Sequence, residues 1–455
     1  MKSGLPALLS LLLITILHCR EADPSQPTVP PTSPSTVDYS ESDYQDVRLP
    51  DSLLYDKILG LLVGSAIGDA MGAPTEMWSQ PAISDEYGHV DSLDMVLREP
   101  SPEGPWAFNL PPGAGTDDTR WKNLMVDYSL TEHDARSNSR PLTFSGQRFA
   151  HYLNERYRRR VEALKDVSGL EPEPLEDAMR RVAWLQEWAT VARAYAEGDV
   201  DDYRNALSRF YGGEMSCAGM LYSPVFGAVY PGRPEAAYRA AYETSLFDLG
   251  YARDISGLTA ALTAIAFQPD VTPDDFLKVV REVDPENFFR SRLIGRVAYR
   301  LFQQARSIVR VAERLTPEEA RAMDFRLPDR YPYDSLTYAR TLKAYALLDE
   351  AKQDVPFHAA EIYLITITSL LFTEYQFQPA MEFIVNYGRD NDTVAAVAGS
   401  IIGALRGYGQ LPAEQRATVI RVNRELLDID LEQQAQRLTQ AVLDRRQLET
   451  NDALQ

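Results

Sequence analysis

A glycine stripe along one predicted helix is the feature that most constrains the fold of this chain. In the segment 56–78, DKILGLLVGSAIGDAMGAPTEMW, glycine recurs at every fourth position, at Gly60, Gly64, Gly68 and Gly72. Residues four apart share one face of a helix, so this helix has a face without side chains. Each glycine costs up to about 1 kcal/mol relative to alanine inside a helix. Close approach by another backbone would justify that cost.

A second segment, near the other end of the chain, repeats the pattern. Residues 388–409, GRDNDTVAAVAGSIIGALRGYG, carry Gly399, Gly403 and Gly407 at the same interval. The two helices are therefore candidates to pack against each other. Charged residues such as Asp69 exclude a membrane dimer motif of the same form for the first helix. Core packing explains the glycines, but it does not explain the acids at the start of the second helix.

The rest of the folded part also has a helical pattern. Alternating β-branched strands are hard to find, whereas Ala, Leu, Glu and Arg recur at three-and-four spacing, as in 176–198 and 294–315. Thr272 and Thr316 each precede a proline, a signal that is typical of helix starts. With 455 residues and 45% hydrophobic content, the chain is long enough for a large core. The sequence predicts one all-α domain over residues 51–450.

The first 19 residues have the pattern of a targeting segment. Lys2 precedes an apolar run from Leu5 to Leu17, which has secretory-signal length and is short for a membrane span. Cys19 follows this run, as in bacterial lipoprotein signals, although His18 stands where a small residue is usual. We expect export, with either lipidation of Cys19 or ordinary cleavage nearby.

Residues 20–50 are rich in Pro, Ser, Thr and acids and poor in aliphatic residues. Such a composition does not offset the entropy of ordering, so this segment is predicted to be a disordered tether. A tether behind a lipidated Cys19 would hold the domain near a membrane surface. The expected location is therefore periplasmic or membrane-anchored.

Charge and cysteine content exclude several classes of protein. The formal net charge of −20 repels phosphate backbones and no basic groove is evident, so no nucleic-acid partner is expected. Two cysteines, Cys19 and Cys217, are too few for a disulfide scaffold. The five histidines include no pair at zinc-ligand spacing. Cys217 is interpreted as a small buried residue.

Two predicted helix starts carry more acids than capping requires. A Pro/Gly loop leads into the first at 116–118, and the second opens the glycine-faced helix at 390–393. Capping is the simpler interpretation of each cluster. However, one cap needs one side chain, and adjacent carboxylates repel each other. The candidate ligands in the two clusters are Thr116, Asp117, Asp118, Asp390, Asp392 and Thr393.

Together the clusters supply four carboxylates and two hydroxyls. These hard oxygen ligands suit Mg²⁺, Mn²⁺ or Ca²⁺ and not zinc. Four gathered carboxylates would be partly protonated without cations, which indicates two ions. A pair of ions can lower the pKa of a water, orient a diol and stabilise the charge of a displacement.

Three motifs in this order resemble the ADP-ribosylglycohydrolase family, of the dinitrogenase-reductase-activating glycohydrolase type. They are GLLVGSAIGDAMGAPTEMW, GTDDT and GRDNDTVAAVAGSIIGALRG, within residues 55–410. The resemblance implies an orthogonal all-α multi-helix bundle with two Mg²⁺ ions, or Mn²⁺, held by the six residues named above. It also implies hydrolysis of a ribosyl glycosidic bond, with release of ADP-ribose from a modified protein or small molecule.

The resemblance further implies roles for Glu76, Asp118 and Asp69, and the chain departs from the family pattern at Arg389. Glu76 matches an acid that lies on a mobile loop over the metals in relatives, and it or a metal-bound Asp such as Asp118 would be the catalytic base. Asp69 would orient the metal ligands or cap a helix. Arg389 replaces the second glycine of the family's Gly-Gly-Asp, and would pair with a substrate phosphate or with neighbouring acids.

The family's middle motif is only partly present within residues 212–227. Met220 and Pro224 fit the motif, whereas Ser216 and Leu221 replace its Asn and Arg. These departures affect substrate recognition more than metal binding.

Two alternatives to ADP-ribose release therefore remain open: a non-catalytic, metal-containing module that binds ADP-ribose or a nucleotide, and a hydrolase of another N-glycosyl compound. A terpene-synthase-like site is disfavoured because Trp121 occupies the last position of the required Asp-Asp-x-x-Asp pattern.

Overall fold

A computed structural model of the chain describes residues 47–97, 109–135, 142–167 and 182–453. Within these ranges the secondary structure is helical, with isolated β-bridges and no β-strand, so the all-α prediction is confirmed. The predicted signal segment 1–19 with Cys19, and the tether up to residue 46, lie outside the described residues. In chain order the described helices are α1 Asp51–Gly72, α2 Gln80–Tyr87, α3 Asp117–Asp134, α4 Gly146–Val167, α5 Gln186–Glu197, α6 Val200–Leu207, α7 Pro224–Val229, α8 Pro234–Thr244, α9 Tyr251–Ile265, α10 Pro273–Glu282, α11 Val297–Glu313, α12 Pro317–Ala322, α13 Ser335–Asp349, α14 Ala359–Phe372, α15 Phe377–Tyr387, α16 Asn391–Arg406, α17 Ala413–Leu427 and α18 Leu431–Ala453.

The two glycine-striped helices, α1 and α16, pack against each other as predicted. A Cβ atom added to Gly64 would overlap the carbonyl oxygen of Gly399, and one added to Gly399 would overlap that of Gly64. Gly60 and Gly403 meet in the same reciprocal way. The glycines thus allow two backbones to approach closely over several turns.

Helix α1 is central to the protein. The segment Asp51–Thr75 is long and apolar enough to cross a membrane by length and composition, and its most apolar window is entirely buried by the surrounding protein. The residues just before α1 are also attached to the fold, since the Val47 N–H donates to the Pro231 carbonyl over 3.3 Å. We therefore interpret α1 as a core helix.

A buried lysine ties the end of α16 to α1. The Lys57 ammonium donates to the carbonyls of Ala404 and Leu405, over 2.8 and 2.9 Å, and to that of Ala266 over 3.1 Å. The last carbonyls of a helix lack the usual intrahelical partner, and Lys57 satisfies two of them in α16. Burial lowers the pKa of Lys57 to about 8.

A buried ion pair connects α9 to the start of α11. Arg296 donates to both oxygens of Asp254 over 3.1 and 2.7 Å, and both side chains are fully buried. The Tyr238 hydroxyl donates to the same carboxylate over 2.7 Å. The charges are therefore paired and hydrogen-bonded, as buried charges must be.

The predicted cap signals are confirmed at both prolines. Helices α10 and α12 begin directly after Thr272 and Thr316, and each start forms a capping box with the acid three residues on, Asp275 or Glu319. The end of α1 lies beside the starts of α3 and α16, since Asp69 accepts the Thr116 N–H and Gly72 packs against the backbone of Asp392.

Candidate metal centre

Asp69, near the end of α1, holds the start of α3. Its carboxylate is fully buried and accepts the backbone N–H groups of Thr116 and Thr119, over 2.9 and 3.0 Å. Both threonine hydroxyls also donate to it, that of Thr116 over 2.7 Å. The first N–H groups of a helix need acceptors, and here another helix supplies them. Helix α3 is therefore capped by Asp69, and the carboxylates of Asp117 and Asp118 are not needed for that purpose.

Asp118 connects the two predicted clusters. Although the residues are 275 positions apart, the Thr393 hydroxyl of α16 donates to Asp118 Oδ2 over 2.9 Å. Lys122, one turn further along α3, donates to Asp118 Oδ1 over 3.2 Å. All three side chains are buried. The residues at the starts of α3 and α16 thus form one polar cluster.

Three carboxylates converge beside this contact. Glu76, Asp390 and Asp392 each place one oxygen within 4.8 Å of the others. Asp390 and Asp392 are buried, whereas Glu76 is half-buried at the end of a short 3-10 turn. Thr116 Oγ1 lies 3.5 Å from Asp392 Oδ2, so the first cluster reaches the second.

Asp392 provides a test of whether this donor set fits a cation. Its Oδ1 is buried and accepts no hydrogen bond within the described parts of the chain. A buried acceptor without a partner costs about 1–3 kcal/mol, and more when it is charged. A hard divalent cation coordinated by Asp392 would supply the positive partner that this carboxylate lacks. The residues therefore fit a metal centre.

The electrostatics of the cluster lead to the same conclusion. Burial raises the pKa values of Asp118 and Asp392 well above the usual range, and the negative charge of Glu76 raises that of Asp392 further. Burial also raises the pKa of Asp390, and the charge of Asp117 adds to this effect. The ionised cluster is costly unless positive charge compensates it.

The loop that carries Glu76 is tied to the turn before Asp390. The Met77 N–H donates to the Arg389 carbonyl over 2.7 Å, and the Arg389 N–H donates to the Trp78 carbonyl over 2.8 Å. Arg389 has a φ of 66°, a left-handed conformation that costs energy for a side-chain-bearing residue. These two backbone hydrogen bonds hold the loop that carries Glu76 against the turn that precedes Asp390.

The Arg389 side chain points to an acid of α14. Its guanidinium donates to both oxygens of Glu361, over 2.6 and 2.9 Å, and to the Gln353 carbonyl over 2.9 Å. Of the two interpretations of Arg389, the structure shows pairing with a neighbouring acid. Such a bidentate pair fixes the turn that leads into Asp390.

Two buried residues of the site were missed in the sequence. Lys122 touches Asp118, and the i,i+4 spacing of the pair was a signal that could have identified it. Cys217 places its sulfur 3.9 Å from Asp390 Oδ2, and burial raises the pKa of its thiol. Cys217 lies between the motif positions Ser216 and Met220, but no spacing rule relates it to Asp390.

The partial middle motif, within residues 212–227, is held in place by the buried carboxylate of Asp248. Asp248 accepts the Gly219 N–H over 2.9 Å and the Ser256 hydroxyl over 2.6 Å. Burial raises the pKa of Asp248 to about 6. Asp248 thus positions the turn that follows Cys217.

A family model and a solved structure relate this chain to known proteins. The family model described as ADP-ribosylglycohydrolase matches residues 50–448. A solved structure, titled "ADP-ribosylglycohydrolase-related protein complex", is similar with a TM-score of 0.50 and 17% identity, covering 86% of this chain and 99% of that one. This likeness shows the all-α fold of the family. No curated protein matches this chain. The family match supports a glycohydrolase function in general, and the chain belongs to the ADP-ribosylglycohydrolase family.

Proposed function

We propose that this protein is a metal-dependent hydrolase that cleaves a ribosyl glycosidic bond and releases ADP-ribose from a modified protein or small molecule. The observation that carries the proposal is the convergence of Glu76, Asp390 and Asp392 within 4.8 Å, beside the start of α3. Family membership supplies the reaction class. The buried, unsatisfied Asp392 oxygen supports the metal dependence.

Two divalent cations, Mg²⁺ with Mn²⁺ as a substitute, would be held by the six residues predicted from the sequence. These are Thr116, Asp117, Asp118, Asp390, Asp392 and Thr393. The Thr116 hydroxyl donates its hydrogen bond to Asp69, so the lone pairs of the Thr116 oxygen stay available for a cation. When bound, the cations would orient the ribose diol and increase the acidity of a water.

The protein's own residues supply the proton transfer and the charge stabilisation. Glu76 is the candidate base, because it is half-buried on the loop beside the centre and can take a proton from the attacking water. Asp118 is held by Lys122 and Thr393 and is the second candidate catalytic carboxylate. Positive charge develops at the anomeric carbon as the bond breaks, and nearby carboxylates stabilise it.

Hydrolysis of a substrate panel by the full chain tests the proposal. ADP-ribosylated peptides and free ADP-ribosyl compounds are incubated with Mg²⁺, with Mn²⁺ and with EDTA. We expect metal-dependent release of ADP-ribose that falls on the order of 100-fold or more in Asp392→Asn. Asp134→Asn, an exposed acid at the other end of α3, is the matched control and keeps activity. Full activity in EDTA or in Asp392→Asn contradicts the proposal.

The altered middle motif favours a second candidate, a binding module that keeps the metals. Leu221 stands where the family has Arg and is buried, so it offers no positive charge to a phosphate. This candidate predicts no ADP-ribose release in that assay, together with ADP-ribose binding in a separate calorimetric titration. Other N-glycosyl compounds are added to the panel, and hydrolysis of one of them without ADP-ribose release would assign the enzyme a different substrate.

We also propose that residues 1–19 direct export and that Cys19 carries the lipid anchor. The support is the apolar run that ends shortly before Cys19. Metabolic labelling with a fatty acid should mark the wild-type chain and fail to mark Cys19→Ser. Equal labelling of the two chains, or none in either, would contradict lipidation at this residue.

A further inference from the structure

A cavity lies apart from the proposed metal centre. It has a volume of about 330 Å³ and is formed by α2, α13 and α15 with the loop before α13. None of the proposed metal ligands or catalytic residues is among the residues that line it. The cavity therefore needs an explanation separate from the hydrolytic site.

Aromatic rings form much of the cavity wall. Tyr331 meets Tyr333 and Tyr338 edge to face, with ring centroids 5.5 and 4.8 Å apart and interplanar angles of 74° and 63°. Tyr345 and Phe383 form a similar pair, at 4.9 Å and 62°. The rings in this wall therefore lie at steep angles to one another, in the edge-to-face arrangement that aromatic pairs prefer.

The polar part of the lining contains two acids together with His89 and neutral hydroxyl and amide groups. Glu382 and Glu374 line the cavity, and no lysine or arginine does so in the described chain. Glu382 is buried; it accepts from Gln378 Nε2 over 2.9 Å and lies 3.4 Å from His89 Nε2. A buried carboxylate is thus held in place in a cavity wall that also contains aromatic rings.

We propose that this cavity is a binding site for a small organic ammonium ion. Aromatic faces attract cations through their quadrupole, and the attraction increases when the site excludes water. The carboxylates of Glu382 and Glu374 complement a positive charge and disfavour an anion. A neutral apolar ligand would have no use for the buried carboxylate. The inference goes beyond the proposed hydrolysis and does not depend on it.

Choline and its neutral isostere, 3,3-dimethylbutan-1-ol, are the probes that test this site. The two molecules have nearly the same shape and differ in the charge of the quaternary centre. Calorimetric titration of the full chain in EDTA, without nucleotide, separates this binding from the metal centre. We expect choline to bind at least about tenfold more tightly than the alcohol, which is the size of a desolvated cation–π contribution. Equal affinities, or no binding of choline, overturn the proposal.

Two substitutions at Tyr333 locate the binding. Tyr333 is 40% exposed, so its replacement should leave the melting temperature nearly unchanged. Tyr333→Leu removes the ring and should weaken choline binding about fivefold or more, whereas Tyr333→Phe keeps the ring face and should retain binding. Glu382→Gln keeps the shape of the side chain and should weaken choline binding without affecting the alcohol. Unchanged affinity in both Tyr333→Leu and Glu382→Gln would place the bound choline elsewhere and overturn the assignment.

Discussion

At the scale of single residues, Asp69 explains why the acids of α3 are available for chemistry. The sequence left open whether Asp69 orients metal ligands or caps a helix, and its contacts allow it to do both. Its carboxylate caps α3 from α1, and the hydroxyl that it fixes belongs to the predicted ligand Thr116. The role of Thr116 at a metal stays a prediction.

Asp69→Asn should destabilise the protein even without metal. The amide has one acceptor oxygen where the carboxylate has two, so at least one buried donor of Thr116 or Thr119 loses its partner. The expected loss is about 2–4 kcal/mol of unfolding free energy. Urea unfolding in EDTA measures it, with the exposed Asp134→Asn as control. Equal stability of the two variants would show that Asp69 does not hold α3.

Asp248 gives the protein a pH-dependent stability. Burial raises its folded pKa to about 6, so the folded protein binds this proton more tightly than the unfolded chain does. The stabilising contribution is present at low pH and is lost as the pH rises from about 4 to about 6, by about 3 kcal/mol. Asp248→Asn cannot titrate there, so the stability difference between wild type and variant should change over this window. A constant difference from pH 4 to pH 7 would contradict the raised pKa.

The sequence could identify acids and hydroxyls but not all of their neighbours. The excess of acids at two helix starts predicted which side chains gather, since such clusters exceed the need for caps. Cys217 and Glu361 reach the site from distant segments, Cys217 beside Asp390 and Glu361 through Arg389. Neither has a local pattern that relates it to the cluster, because only tertiary packing creates these contacts.

At the scale of elements, the glycine stripes predicted the contact between α1 and α16. The glycine spacing can be read from the sequence, and close approach of two backbones offsets the loss of helix stability that each glycine causes. Cap signals located the starts of α10 and α12 for a similar local reason. The helix predicted at 294–315 occupies Val297–Glu313, since its ends depend on neighbouring contacts more than on the pattern.

Gly64→Ala should destabilise this helix pair more than its helix propensity would suggest. The added methyl group meets the Gly399 carbonyl oxygen, so the two backbones must separate. We expect a loss of about 2–3 kcal/mol in chemical denaturation. Gly198→Ala is the matched control, because open space surrounds Gly198 and only its φ of 76° costs energy, about 1 kcal/mol. A loss in Gly64→Ala no greater than in the control would contradict close packing.

At the scale of the whole molecule, the fold brings together two acidic clusters that are far apart in the sequence. Packing of α1 against α16 places the end of α1 beside the start of α16, and Asp69 then fixes the start of α3 to the same point. The result is a buried set of carboxylates whose raised pKa values call for a compensating cation.

The central claim is that the starts of α3 and α16 form a centre for two divalent cations. Crystals of the full chain grown with Mn²⁺, with diffraction measured at the manganese absorption edge, test it most directly. The account predicts two anomalous peaks, bordered by Asp118, Asp390 and Asp392, that disappear in Asp392→Asn crystals while the fold is retained. Peaks only at other positions, or none at Mn²⁺ concentrations that saturate binding in solution, would contradict it.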